Sequence, residues 1–459
     1  MVKENSIMIG LEIHGYLDTK EKLFCNCKNF HDMKIVKPNT NICPICTGQP
    51  GAKPMLPNKS AINKLIQIGL MLNCKINNKK LFFQRKHYNW PDMPYGYQKT
   101  ISGAHSNLPL ENGEFLGIRI REIHLEEDPA AWNPETGKID YNRAGVPLIE
   151  IVTEPDFNNK EDVEKWLRQL ILTLSYIKAL NKDAGIKADV NVNIKGKTKR
   201  TEIKNVNSVS EIIKAIDSEI IRHEKELPNF TETRRWNSIK NKTQPMRKKE
   251  EQKDYRFIPE PDLPFFILEK NRTEKIKNSL PESPLKKLDK ILKKHKIKKQ
   301  DAEVLIKNLD IVELFEKVVE KINPKIALPW ITVEWLSVLN YNKKNMDDID
   351  INHEHFIELL DLLEKNKITP LKGKEILRRF FPKSFSPIKE AKKSEKITNK
   401  EELREIIKNV LKKNKKSVED YKKGEKKAFN FLIGEIMKET KKRADIFIVR
   451  KILKKEIEN

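Results

Sequence analysis

Ile7-Met8-Ile9-Gly10-Leu11-Glu12-Ile13-His14 decides how the first half of this chain is read. Apolar side chains recur at 7, 9, 11 and 13, the period of a half-buried strand, so Glu12 and His14 share its opposite face. Two such groups stand roughly 7 Å apart. A carboxylate and an imidazole so placed suit magnesium, which is commonly held by one or two carboxylates plus substrate phosphates. A strand with an ordinary polar outer face has the same pattern.

Three further stretches carry the same signature. Gly117 to Asp128 alternates, slips phase near Arg121 and resumes at Ile123 and Leu125, which predicts a β-bulge that re-aims the acidic end His124-Leu125-Glu126-Glu127-Asp128. Three successive acids repel one another unless a cation neutralises them, so the run reads either as metal ligation or as a solvated turn entering Pro129. Gly145 to Glu154 is an apolar strand interrupted by Glu150, a charge that is costly to bury unless paired or bound to metal. In Ala188 to Ile194, Asp189, Asn191 and Asn193 share one face, either lining a polar cleft or forming the wet side of a sheet.

The chain has 459 residues, enough for two to four domains, and a formal net charge of +24 that favours a polyanionic partner such as a nucleic acid. Biased use of Lys, Ile and Asn would also produce such a charge. No run of 18 apolar residues and no signal-peptide core occurs, so a cytoplasmic protein with no membrane role is expected. Residues 1–280 read as an α+β domain. Its helices are expected over Ser60 to Asn73, capped by Ser60; over a run with Val163, Trp166, Leu167, Leu170, Ile171, Leu174 and Ile177 on one face, preceded by Asn158 and Glu161 as a capping pair; and over Val209 to Glu226. Residues 281–396 read as an all-α domain, with helical runs at Asp301 to Glu320 and Trp330 to Asn340. Phe380 to Thr398 looks like a linker to a small α-helical tail domain, 397–459. About 22 Lys and Arg stand against 12 Asp and Glu over residues 391–459, with Ala428, Phe431, Leu432, Ile436 and Met437 as the packed stripe.

Cys25-Asn26-Cys27 and Cys43-Pro44-Ile45-Cys46, fifteen residues apart, can supply four thiolates to one tetrahedral zinc. A closed four-thiolate site is structural, which argues against a zinc-dependent hydrolase. Cys74 reads as a buried apolar residue. Arg85-Lys86-His87-Tyr88, with Trp90-Pro91-Asp92 and Gly96-Tyr97-Gln98 after it, mixes cations and aromatics in a way that suits phosphates and stacked bases, and is also common in loops. Gly196-Lys197-Thr198 resembles the end of a phosphate loop, but no helix follows, so any nucleotide site belongs to another class.

The runs GLEIH, KLFCNC, PNTNICPICTGQPGAKP, RKHY, WPDMPYGYQ, HLEEDP, NRAGVPLIEIVTEPD, EIKNVNS, ETRRW and DYRFIPEPDLP, in this order over roughly residues 7–265, closely resemble the B subunits of the aspartyl-tRNA(Asn)/glutamyl-tRNA(Gln) amidotransferases. Gly424 to Leu453 resembles that family's C-terminal helical module, and Ala327 to Asn340 more weakly its middle helical domain. The resemblance implies a cradle domain with the fold of glutamine synthetase and guanidino kinases, followed by helical and tail domains. It implies that ATP phosphorylates the side-chain carboxylate of glutamate or aspartate esterified to the wrong tRNA, tRNA(Gln) or tRNA(Asn), and that ammonia then displaces phosphate. The ammonia would come from a separate glutaminase A subunit, with a small C subunit completing a heterotrimer.

Carried onto matching positions, Glu12, His14, Glu127 and Glu150 are the expected magnesium ligands and Cys25, Cys27, Cys43 and Cys46 the zinc ligands. Lys86, Glu126 and Glu127 are expected to serve the chemistry, and Arg85, Lys86 and Asp189 to line the ATP site. Pro129-Ala130-Ala131-Trp132 and Lys187-Ala188-Asp189 depart from many relatives, leaving a basic contact in doubt at each. The alternatives are a non-catalytic tRNA-binding or assembly subunit, and the related E subunit, whose large C-terminal insertion this chain is too short to contain.

Overall fold

The computed structural model describes residues 6–30, 36–88, 90–181, 185–248, 256–392, 397 and 399–458. The chain divides into two compact units, Met1–Ser283 and Pro284–Asn459. Asp254 and Tyr255 of the DYRFIPEPDLP run lie outside the described residues.

The first unit is mixed α+β. Its strands are β1 (Ile7–Tyr16), β2 (Lys75–Ile76), β3 (Gln84–His87), β4 (Tyr97–Thr100), β5 (Leu110–Phe115), β6 (Ile118–Glu127), β7 (Ala131–Trp132), β8 (Ile139–Asp140), β9 (Pro147–Thr153), β10 (Ile186–Ile194), β11 (Thr201–Val206), β12 (Glu232–Asn237), β13 (Lys242–Lys248) and β14 (Ile258–Pro259). Twelve form one sheet in the order β13-β12-β11-β10-β1-β9-β6-β4-β3-β14, with β5 and then β2 branching from β6, while β7 and β8 pair separately. Among the described residues, every pairing of these strands is antiparallel except β11 with β12.

Alternation in β1 is as the sequence predicts. Ile9, Leu11 and Ile13 are buried and stand opposite Val192, Val190 and Ala188 of β10. Helices α1 (Lys59–Met71), α2 (Lys160–Tyr176) and α3 (Val209–Glu226) pack into the same core through residues such as Leu65, Trp166, Leu170 and Ile216. The predicted bulge is present, as a register shift between Ile120 and Glu122 against β9. Cys74 is buried against this core, and Gly196-Lys197-Thr198 sits in the turn between β10 and β11.

Helix starts differ in detail from the sequence reading. The Asn58 side chain, rather than Ser60, caps α1 by accepting from the Ser60 and Ala61 amides. In α2 Asn159 does so, accepting from the Asp162 amide, which displaces the expected pair Asn158 and Glu161 by one residue. In both, an Asn carbonyl one or two positions away reaches the unpaired first-turn amides. Ile171 lies toward solvent at the edge of the α2 stripe.

The second unit is helical. Asp301 to Glu320 is two helices, Lys299–Leu305 and Leu309–Val318, because the Asn308 side chain caps a new helix at the Asp310 amide. Trp330 to Asn340 opens with a π-helical segment, Trp330–Trp335, just after Pro329, and continues as Leu336–Tyr341. A proline cannot donate to the ladder, and a widened turn takes up the mismatch. Within the linker reading, Ile388–Lys392 is helical, whereas residues 393–396 and 398 lie outside the described residues. Near the C-terminus a separate core gathers Ile397, Leu403, Ile407, Leu432, Ile433, Ile436, Met437, Val449, Leu453 and Ile457. Phe431 is half exposed and Ile433 takes its expected place, since 428, 432 and 436 stack one turn apart and 433 and 437 flank them. Among the described residues no helix is long and apolar enough to cross a membrane.

Candidate active site

Strand register assembles the polar face of the sheet. Glu150 of β9 stands directly opposite His14 of β1 on one side and His124 of β6 on the other. The Glu150 carboxylate lies 3.5 Å from His14 Nε2 and 3.2 Å from His124 Nε2. Glu126, two residues along β6, completes the row, with one ligand atom each from His14, Glu126 and Glu150 within 4.8 Å of one another. His124 Nδ1 also approaches Glu122, at 3.2 Å.

Burial and charge set the protonation of this row. Burial pulls the His14 imidazole down, but the hydrogen bond and charge of Glu150 prevail and push it up to about 9. His124, also opposed by burial, is raised to about 10 by Glu150 and Glu122. Burial pushes Glu150 up, yet the two imidazoliums hold it well below the usual carboxylate range. Glu126 is raised, first by burial and then by Glu150, with Lys86 acting against them. Its Oε2 is buried with no hydrogen-bond partner among the described residues. Two carboxylates and an imidazole with an unsatisfied buried oxygen could hold a divalent cation, which there would replace imidazolium charge.

A second group adjoins it through β1 and β10. Glu12 pairs in register with Asp189, and Asn191 with Glu202 of β11. Glu12, Asp189 and Glu202 bring one carboxylate oxygen each within 4.8 Å of one another. The Lys204 ammonium lies 2.5 Å from both Asp189 and Glu202. Asn191 donates to Glu12 Oε1 at 3.1 Å. Burial raises the Glu12 carboxyl, Lys204 opposing it and Glu150 adding to it.

Several expected residues fall here and two do not. Lys86 stands opposite Gln98 in the β3–β4 pair, and its charge acts on Glu126. Asp189 lies in the second group. Glu127, expected as a ligand with Glu12, His14 and Glu150, is on the other face of β6, where Lys99 Nζ donates to its Oε1 at 2.8 Å. Lys99 is 1% exposed and lies over the Tyr95 ring at 3.9 Å. Strand alternation is the reason: Glu126 shares a face with His124, and the next residue must point away. Arg85, expected at the nucleotide, is bound by its Nε and Nη2 to Glu260 at 2.9 and 2.6 Å. His124, Glu202 and Lys204 carry no role in the sequence reading. The period that places Glu12 with His14 also places His124 with Glu126, and Glu202 with Lys204.

The four expected thiols converge. Cys25, Cys27, Cys43 and Cys46 place their sulfurs within 4.8 Å of one another, and the Cys43 amide donates to Cys46 Sγ at 3.3 Å. The hydrogen bond from Cys25 outweighs burial and pulls the Cys46 thiol down to about 5, with Lys22 adding to it. Burial first, then Cys46, pushes the Cys27 thiol up to about 12. Four sulfurs so close together are a donor set that fits a structural zinc.

Residues 7–274 match the family model described as the GatB/GatE catalytic domain, and residues 313–457 the GatB domain. The chain is 40% identical over 476 residues to a protein of Methanococcus maripaludis (strain S2) named as the B subunit of an aspartyl/glutamyl-tRNA(Asn/Gln) amidotransferase, with all of both chains covered. Proteins of the same name are similar at 39% identity in Methanocaldococcus jannaschii, covering 98% of this chain and 97% of the relative, and at 40% in Methanothermobacter thermautotrophicus, covering 95% and 97%.

Proposed function

The chain belongs to the family of aspartyl/glutamyl-tRNA(Asn/Gln) amidotransferase B subunits, and on that premise we propose that it performs the ATP-dependent amidation step of a tRNA-dependent amidotransferase complex. The substrate is glutamyl-tRNA(Gln), aspartyl-tRNA(Asn) or both. The side-chain carboxylate of the esterified amino acid takes the γ-phosphoryl group of ATP, releasing ADP. Ammonia attacks the acyl phosphate, phosphate leaves with the C–O bonding pair, and the amide remains on the tRNA.

The observation that carries this reading is the row His14, Glu150, His124 and Glu126 beside Glu12, Asp189 and Glu202 on one polar sheet face. A carboxylate accepts attack by ammonia only once its oxygen is a leaving group, so the site's task is phosphoryl transfer between anions. Bound magnesium would neutralise the charge on the transferred group and hold it in line. His14, Glu126 and Glu150 fit one such ion, and Glu12, Asp189 and Glu202 offer a second set. The chain's cations do the rest. Lys86, near Glu126, steadies the phosphoryl or acyl carboxylate group, while His124 stays protonated and fixes the Glu150 carboxylate. Lys204 neutralises Asp189 and Glu202, keeping three carboxylates together. Glu127 and Arg85 are structural in this reading, since Lys99 and Glu260 engage them.

The first unit serves as the cradle, its helices on one face and its chemistry on the other. The helical regions that follow, and the basic C-terminal segment above all, grip the tRNA backbone. Four thiolates hold a structural zinc. Ammonia reaches the cradle from a glutaminase A subunit, with a small C subunit bracing the heterotrimer.

The test is amide formation with ammonium chloride, ATP and magnesium on both misacylated tRNAs, using the complex assembled with wild-type or Glu150→Gln chain. Ammonium bypasses the glutaminase, so product reports this subunit alone. ATP-dependent product from the wild type and a loss of roughly a hundredfold or more in the variant are expected. A wild-type complex that binds tRNA tightly yet neither cleaves ATP nor forms amide overturns the reading.

A further inference from the structure

Lys22 lies immediately before Leu23-Phe24-Cys25 and is fully buried. Its ammonium donates three hydrogen bonds, to the Asn41 carbonyl at 3.2 Å, the Tyr141 carbonyl at 3.3 Å and Cys46 Sγ at 3.5 Å. No carboxylate of the described residues is among those partners. A buried ammonium is strongly disfavoured unless it gains a counter-charge for its lost hydration, and Cys46 Sγ is the one ionisable group among these partners. Four thiolates around one divalent zinc carry a net charge of −2, and Cys25 and Cys46 of the four are buried. Each group supplies what the other lacks.

We propose that Lys22 is the resident counter-charge of the four-cysteine metal site, a positioning residue that donates to the Cys46 thiolate and fastens the cysteine knuckle to the turn before β9. The proposal rests on reading those cysteines as a zinc site. Among the described residues, Lys22 is the one ammonium or guanidinium with a hydrogen bond to any of the four sulfurs. Its other two bonds join separate segments: Asn41 belongs to the knuckle and Tyr141 to the turn that runs through Gly145 into β9. The Leu23 amide donates to the Gly145 carbonyl at 2.8 Å, and the Gly145 amide to the Asp128 carbonyl at 2.9 Å. Gly145 has φ +81°, and a Cβ there would stand 3.6 Å from Cys46 Cβ and 3.7 Å from Lys22 Cδ, so the lysine stem packs directly on this turn. The same few residues therefore join the knuckle to the ends of β6 and β9, which carry Glu126 and Glu150.

Partners that orient metal ligands typically contribute roughly 10- to 100-fold in metal affinity. The full-length chain is prepared as wild type, Lys22→Met and Lys22→Gln. Zinc retention is measured in competition with a chromophoric chelator, and the cobalt(II) form of each is recorded by absorption spectroscopy. Both variants are expected to bind zinc roughly tenfold or more weakly. Their sulfur-to-cobalt charge-transfer bands are expected to move to lower energy, because a thiolate without its donor is the better electron source. Tethering of two carbonyls alone would leave those bands in place. Lys22→Gln keeps a neutral donor for the carbonyls, so it carries the test if Lys22→Met does not fold. A folded variant with wild-type zinc affinity and wild-type bands overturns the proposal. A wild-type chain that takes up neither zinc nor cobalt at the four cysteines overturns the zinc assignment first, and the role of Lys22 with it.

Discussion

His14 Nε2 and Glu150 Oε2 lie 3.5 Å apart across the β1–β9 pair, in direct register. That pairing fixes a metal-capable carboxylate and imidazole on adjacent strands of a rigid sheet rather than on loops, so the site is preorganised by backbone hydrogen bonding.

Replacing His14 by Ala removes one of the three proposed ligands while leaving the sheet's apolar face untouched. Manganese binding to the nucleotide-free chain, followed by calorimetry, should weaken by roughly tenfold or more, with far-UV circular dichroism unchanged. Unchanged manganese affinity would take His14 out of the metal site.

Glu219 of α3 is buried and accepts from Arg222 at 2.5 Å and from Thr243 at 2.7 Å, with His223 Nε2 at 3.2 Å. Burial opposes its charge, but His223, Arg222 and Thr243 together hold the carboxyl down to about 2. Its folded pKa is depressed, so its contribution is fully present above about pH 4.5 and is lost as pH falls toward 2. Roughly 3 kcal/mol is at stake at neutral pH. Urea unfolding of wild type and Glu219→Gln should differ most at pH 6–7, and the gap should shrink below pH 4.5. A gap that widens on acidification contradicts this.

Zinc removal is expected to act on stability before chemistry, since the thiols lie on the knuckle and not on the polar sheet face. A chelator should lower the melting temperature by roughly 5–10 °C, as about 2–3 kcal/mol does in a domain of this size. Differential scanning fluorimetry with and without added zinc measures it.

The excess of Lys and Arg near the C-terminus predicts tRNA binding that weakens steeply with salt. Between 50 and 200 mM salt, affinity should fall by roughly a hundredfold or more, and removal of residues 397–459 should flatten the slope of log affinity against log salt. Filter binding at four salt concentrations reads both.

Much of the fold, and the polar face that carries the candidate site, is legible in sequence. Alternation in Ile7 to His14 puts Glu12 and His14 on one face, the phase slip at Arg121 locates the bulge, and Val209 to Glu226 is the observed span of α3. The family resemblance points to Glu127 as a ligand and to Glu126 beside it, whereas the sheet sets Glu126 in the row with His14 and Glu150 and Lys99 on Glu127. The apolar partners Ile123 and Leu125 already assign Glu126 to the face of His124. Other features depend on long-range pairing, which no local period encodes. Glu202 meets Glu12 only because β10 lies between β11 and β1, and Arg85 is occupied by Glu260, 175 residues away. Lys22 reads as one more lysine in a basic chain until the fold buries it against Cys46.

The central claim is that magnesium for phosphoryl transfer is held by the face carrying His14, Glu126 and Glu150, and it is tested most directly by the magnesium dependence of ammonia-driven amide formation in wild type, Glu126→Gln and Glu127→Gln. Glu126→Gln should lower the rate by roughly a hundredfold or more and shift the half-maximal magnesium concentration upward by about tenfold. Glu127→Gln should leave that concentration unchanged while lowering the melting temperature, because Lys99 loses its buried partner. The reverse pattern, with magnesium dependence following Glu127 and not Glu126, would contradict the account.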